Sequence, residues 1–226
     1  MARRIKYFGG KEQTLPIKDK KLLKRVLDYL KFEINSSKSK IKEKQAYRNY
    51  MLFLIGINTA FRAEDLLQLR VKDVEKGYMH IKENKTGKMQ NFPLNKNLYS
   101  DIMDYVNKYE LKSNDYLFMG QKKISTYKGT TTKVIYPITR QNGDYIMTKI
   151  EKACGINFTF GMHSLRKTFA YQYYMNGGNL ITLMKMLNHN SPEVTLLYIM
   201  LDSQEIEDAR SKIYIGGKWK KIENHI

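Results

Sequence analysis

Six side chains in this 226-residue chain are of the types that attack on a phosphodiester requires. Four fall between Met162 and Tyr198, a stretch holding MHSLRKTF at 162–169 and LNHNSPEVTLLYI at 187–199. His163 and Arg166 are three apart, so on a helix they share a face and can address one target. A guanidinium presents fixed paired donors to phosphate oxygens, and an imidazole can donate or exchange a proton. His189 follows Asn188 in an expected turn between helices, and Tyr198 supplies a phenol nine residues on. A free phenol has a pKa of about 10, so a nucleophilic tyrosine needs cations or a base beside it. Upstream, Arg62 lies in an apolar context between Phe61 and Leu66, where an arginine is costly to bury unpaired. Asp65, three residues on, is its expected partner. Lys85 falls at an expected hairpin tip, from which an ammonium can reach a bound backbone and protonate a leaving oxygen.

Taken singly, each residue has an ordinary explanation. His163 and Arg166 fit a helix-start histidine with a surface arginine, Arg62 and Asp65 a structural ion pair, and Lys85 a solvated charge. Tyr198 is one of 17 tyrosines, so only its predicted neighbours distinguish it. The weight lies in the combination.

The composition narrows the partners. Lys and Arg number 40 against 22 Asp and Glu, a formal charge of +18, which points to a polyanion. Hydrophobic content of 42% with 12% aromatic residues describes a folded protein. The longest apolar run, MLFLIGI at 51–57, falls short of the roughly 20 residues that span a bilayer. The basic N-terminus lacks the apolar centre of a signal peptide. A single cysteine, Cys154, excludes an intrachain disulfide framework and suits a reducing cytoplasm. With no metal-ligand companions in its pattern, it reads as an ordinary packed thiol. No cluster of carboxylates suggests a two-metal nuclease. The expected protein is soluble, intracellular and bound to nucleic acid rather than membrane.

Helical spacing of Leu22, Leu23, Val26, Leu27, Leu30 and Ile34 predicts a first helix after Pro16. A second, central helix is expected over 42–58, with Tyr50, Leu54 and Ile57 in the core. A turn and one short helix should occupy 59–74, followed by a hairpin from Tyr78 closing around Asn84, Lys85, Thr86 and Gly87. Residues 95–110 read as helix, 115–118 as a short strand, and 120–137 as loop or weak hairpin. Thr139 is placed to cap a helix to about Cys154. Three helices are expected at 162–176, 179–187 and 191–200, the last opening on Ser191 as cap with Pro192 next. The fold class is mainly α with a small β element.

In this order the segments TAFRAEDLLQLRVKDV, KENKTGK, MHSLRKTFA and LNHNSPEVTLLYI resemble the tyrosine recombinase, or phage integrase, family. That family's pattern is an arginine after a short turn, a hairpin lysine, His-x-x-Arg, a later His or Trp, and the tyrosine. Arg62, Lys85, His163, Arg166, His189 and Tyr198 fill all six places, and Asp65 matches a frequent supporting acid. The resemblance implies a site-specific recombinase that cleaves and rejoins DNA through a 3′-phosphotyrosyl bond, with no cofactor, metal or nucleotide. Arg62 and Arg166 would clamp the scissile phosphate. His163 would assist proton transfer at the tyrosine, His189 would hydrogen-bond the phosphate, Tyr198 would attack, and Lys85 would protonate the 5′ oxygen. It implies double-stranded DNA as partner, a tetramer on two duplexes, and an accessory DNA-bending or directionality protein. A type IB topoisomerase, a telomere resolvase and a non-cleaving DNA-binding regulator share enough of the pattern to stand as alternatives.

Three positions depart from the family pattern. Ala60 and Asn188 stand where glycine is common, and Lys167 where a second histidine is frequent. The expected layout is a basic flexible arm at 1–14, a catalytic domain at 15–212 and a basic tail at 213–226, with no N-terminal core-binding domain. The cell compartment expected for such a protein is the cytoplasm, at the nucleoid.

Overall fold

Apolar residues at helical spacing make most of this chain helical, and the computed structural model describes residues 13–127, 130–201 and 203–215. Helix α1 (Lys20–Asn35) starts where the Asp19 carboxylate accepts from the Lys21 amide, and it buries Val26 and Leu30. Helix α2 (Lys40–Thr59) starts at Ser39, whose hydroxyl caps the Lys42 amide. It is the central helix, burying Met51, Leu52, Phe53, Ile55 and Gly56, while Leu54 and Ile57 pack half-buried on its flank. A β-carbon on Gly56 would lie 2.6 Å from Leu165 Cδ1, so this glycine permits the close approach of α2 to the helix bearing His163.

The expected single helix at 59–74 is two elements: α3 (Ala63–Leu67) and a 3-10 helix, Val71–Gly77. The break between them has a cause. Leu69 accepts from the Leu117 amide (2.8 Å) and Val71 donates to the Asp115 carbonyl (3.0 Å), so the chain pairs sideways there. The same pairing corrects the expected strand at 115–118, which forms only an isolated bridge between Arg70 and Tyr116. Strands β1 (Tyr78–Lys82) and β2 (Met89–Pro93) make the expected antiparallel hairpin, with Tyr78 opposite Pro93 and Lys82 opposite Met89. Helix α4 (Lys96–Lys108) follows. The segment expected as loop or weak hairpin is a long antiparallel pair, β3 (Met119–Tyr127) and β4 (Thr130–Pro137). Its β-branched and aromatic residues suit strands, although no clean alternation marks a buried face.

Helix α5 (Arg140–Ala153) begins at Thr139, which caps the Asn142 amide as expected. Then come α6 (Met162–Met175), α7 (Leu180–Met186), α8 (Pro192–Ile199) and α9 (Ser203–Ser211). Ser191 holds the cap position of α8 but makes no side-chain cap hydrogen bond; Pro192 alone provides the start signal. Most of the expected arm and tail, 1–12 and 216–226, lies outside the described residues. Cys154 is buried, and burial raises its thiol pKa, as a packed thiol requires. Among the described residues no helix is long and apolar enough to cross a membrane.

Two apolar clusters result. The larger joins α1 to α6 around α2, and the smaller gathers Ala60, Ala170, Tyr171, Leu183, Leu187 and Ile199. Tyr198 packs against the smaller one.

Candidate active site

Helix α6 is held by its first turn. The Met162 amide donates to Asp144 Oδ1 of α5 (2.9 Å), and the Gly161 amide donates to Ser164 Oγ (3.1 Å). These bonds satisfy helix-start donors that would otherwise lack partners, and they fix where His163 and Arg166 emerge. Arg166 is only 1% exposed. Its Nη1 donates to the Ala60 carbonyl and its Nη2 to the Leu187 carbonyl, both at 2.6 Å. Those carbonyls sit at the ends of α2 and α7, and Ala60 exposes its own by adopting a left-handed φ of 59°. Burial nevertheless lowers the guanidinium pKa, and Arg166 Nε is buried with no partner among the described residues. A buried cation with an unused donor suits an anion arriving from outside.

Asn188 turns the chain out of α7 with a φ of 49°, a conformation that asparagine tolerates where glycine is common. His189 then places Nδ1 3.1 Å from Thr195 Oγ1, and Thr195 donates to the Ser191 carbonyl at 3.4 Å. With that hydroxyl proton committed, Nδ1 is the protonated nitrogen and Nε2 carries the lone pair, a tautomer assigned from the network. Nε2 faces Arg166 Nη2 at 3.5 Å. Burial first, then Arg166 and Arg62, push the His189 pKa down to about 4. His163 is pushed to about 4 as well, by burial and then by Lys167, Arg166 and Arg140. Both rings are neutral at pH 7.

Tyr198 lies between them. Its ring centroid is 5.1 Å from that of His163 and 4.5 Å from that of His189, each ring edge-on, and the Arg166 guanidinium carbon is 5.6 Å away. Lys167 lies 6.0 Å from the same ring centre. Its Nζ donates to the Thr14 carbonyl at 2.7 Å and sits 3.7 Å from Met200 Sδ. Burial lowers its pKa to about 8.

Arg62 begins α3 as its N-cap, and its partner is not Asp65. Nη1 donates to Glu83 Oε2 at 2.8 Å, an ion pair whose carboxylate side is 2% exposed. Asp65, also buried, instead accepts the Asn84 amide on Oδ1 at 2.8 Å, and burial raises its pKa. Sequence spacing made Asp65 the candidate, but the Asp65 carboxylate is engaged by the Asn84 amide while the Arg62 guanidinium reaches Glu83. The alternation of β1 carried the missed signal: Met79 and Ile81 are buried, and Glu83 is the next inward position. Lys85 stands exposed at the hairpin tip. The fold therefore brings His163, Arg166, His189 and Tyr198 into contact, sets Arg62 close enough to depress the Arg166 and His189 pKa values, and leaves Lys85 on the exposed tip.

A mainly helical domain with a lysine on a hairpin tip and an Arg–His–His–Tyr group drawn from α6, the turn after α7 and α8 marks out the class. The phage integrase family model matches residues 10–205, and the chain belongs to that family, the tyrosine recombinases. The probable integrase/recombinase YoeC of Bacillus subtilis (strain 168) is 35% identical over 187 residues, covering 80% of this chain and 95% of that protein. The tyrosine recombinase XerA of Pyrococcus furiosus is 23% identical over 207 residues, covering 91% of this chain and 68% of XerA. Among solved structures, the XerH site-specific recombinase bound to palindromic difH substrate in a post-cleavage complex superposes with a TM-score of 0.64 at 25% identity. That match covers 92% of this chain but 56% of the XerH chain. The catalytic domain of bacteriophage HP1 integrase matches at 0.51 and 17% identity, covering 88% of this chain and 95% of that one, a likeness of fold.

Proposed function

We propose that this chain is a site-specific recombinase that cleaves and rejoins double-stranded DNA, with Tyr198 as nucleophile. The observation that carries this reading is the Tyr198 ring set edge-on between two neutral histidines, with the Arg166 guanidinium beside it. A phosphate at the ring's hydroxyl end would meet Arg166 and Arg62. Two guanidiniums held by protein contacts stabilise the charge that builds on the non-bridging oxygens without reorganising during the reaction. Tyr198 Oη forms a bond to phosphorus, its proton passes to His163, and the bond from phosphorus to the 5′ oxygen breaks. The electron pair leaves with that oxygen, and Lys85 protonates it to a 5′-hydroxyl.

A neutral His163 has the lone pair that this proton needs. His189 shares its environment, and its Nε2 accepts rather than donates in the DNA-free protein. The phosphate's negative charge offsets Arg62 and Arg166, raising the histidine pKa and turning His189 into a donor. Reversal with a 5′-hydroxyl from another strand regenerates the diester, so the bond energy is kept. We further propose assembly as a tetramer on two duplexes, with an accessory DNA-bending or directionality protein. The remaining basic side chains supply salt-dependent backbone affinity. The test is denaturant-resistant adduct formation on nicked duplex carrying the protein's own site: the native chain forms it and Tyr198→Phe does not. An adduct with Tyr198→Phe would refute the assignment. Tight DNA binding with no adduct from the native chain would make it a non-cleaving regulator, and site-independent relaxation of supercoiled plasmid would make it a topoisomerase.

A further inference from the structure

Lys85 poses a problem that the core of the site does not. It must deliver a proton to one atom, yet it sits on an exposed turn. The residues on either side of it are each tied to a buried carboxylate. Asn84 is held through its amide by Asp65 Oδ1 (2.8 Å), and Thr86 Oγ1 donates to Glu83 Oε2 (2.6 Å). The same Oε2 takes the Arg62 ion pair at 2.8 Å, and Oε1 accepts from Gln90 Nε2 at 3.0 Å. The backbone closes the loop again, with Glu83 N donating to the Lys88 carbonyl and Gly87 N to the Glu83 carbonyl, each at 2.9 Å.

Burial alone would raise the Glu83 pKa. Hydrogen bonds from Thr86 and Gln90, with the Asn188 amide and the Arg62 charge close by, hold it below the ordinary value instead. Asn188 contributes from the turn before His189 without reaching hydrogen-bond geometry, since its amide nitrogen has no bonded partner. Two buried carboxylates this close also disfavour each other: Glu83 helps to raise the Asp65 pKa. A simple surface turn gains nothing from that cost, because Gly87 with a φ of 65° already closes it.

We propose that Glu83 is a positioning residue for the leaving-group step: anchored by Arg62, it holds the tip through Thr86 and so sets where Lys85 gives up its proton. This rests on the reading of Lys85 as the general acid. Because one oxygen serves both Arg62 and Thr86, the arginine that meets the phosphate and the tip that meets the leaving group are placed together.

The experiment compares two DNA substrates, one with the natural 5′ bridging oxygen and one with sulfur there. A thiol has a pKa of about 8.5, so sulfur leaves as thiolate and needs no proton from Lys85. Thr86→Val removes the tie at an exposed position and leaves the Arg62–Glu83 pair in place. It should slow adduct formation about 10–100-fold on the oxygen substrate, less than the roughly 10²–10⁴-fold that losing a general acid outright would cost. On the sulfur substrate it should match the native rate, with an unchanged Tm. Glu83→Gln also loosens the Arg62 anchor, so sulfur should recover only part of its rate, and Thr86→Ser should restore the oxygen rate. Equal slowing on both substrates, or native rates for Thr86→Val on oxygen, would overturn the proposal. Lys85→Ala is the control for the underlying reading: if sulfur fails to rescue it, the role of Lys85 falls, whatever Thr86→Val does.

Discussion

Arg166, His189 and Tyr198 are fixed by helices packed on the cluster around Ala60, Leu183 and Ile199, whereas Arg62 and the residues flanking Lys85 are tied to two buried carboxylates under the hairpin tip. In the first region the functional groups are also structural. Arg166 joins the ends of α2 and α7 through two backbone carbonyls, so the site and the packing stand together. In the second region the lysine proposed as general acid is exposed, and the carboxylates that hold its neighbours are buried. The contrast teaches that chemistry and stability should be inseparable at α6–α8 and separable at the hairpin.

The largest effect should come from Arg166→Ala. It removes the guanidinium proposed to meet the phosphate and strands the Ala60 and Leu187 carbonyls, at about 1–3 kcal/mol for each buried unsatisfied group. Adduct formation should fall more than about a thousandfold, and calorimetry should show a lowered Tm. Arg166→Lys should recover little, because one ammonium cannot reproduce the fork that reaches both carbonyls. Lys85→Ala comes next, slowing cleavage roughly 10²–10⁴-fold with an unchanged Tm. If Lys85→Ala destabilised the protein, or Arg166→Ala left it intact, the contrast would collapse.

The pH response separates the regions further. His163 and His189 have folded-state pKa values near 4, below the unfolded value of about 6.5. The unfolded chain therefore binds more protons between pH 6.5 and 4, and stability falls as pH drops through that window while remaining full above it. Thermal melts should show the decline, and His163→Gln or His189→Gln should flatten it. Lys85→Ala should leave the slope alone.

The smallest expected change is Gly56→Ala. The added methyl meets Leu165 at the crossing of α2 and α6, an overpacking cost of about 1–3 kcal/mol. Denaturant unfolding should register it, with a modest loss of cleavage from the shifted α6.

Most of the helical frame was legible because caps and apolar spacing agree: Thr139, Pro192 and the left-handed Asn188 mark boundaries that the structure keeps. The contacts among His163, His189 and Tyr198 follow from α6, α8 and the turn before α8, whose order is visible in the sequence. The partner of Arg62 was not legible from spacing, because helix rules applied to an N-cap residue point to Asp65 rather than to Glu83, 21 residues away just past the end of β1. The long β3–β4 pair escaped for a related reason. Its threonines and tyrosines suit strands but carry no buried-face pattern to announce one.

The central claim is that Tyr198 becomes covalently joined to DNA. Capturing the adduct on a nicked substrate that cannot religate, digesting it, and mapping the modified peptide by mass spectrometry tests this directly. The expected result is a 3′-phosphonucleotide on Tyr198 within the peptide containing SPEVTLLYI. A modification on any other residue, or its persistence in Tyr198→Phe, would contradict the account.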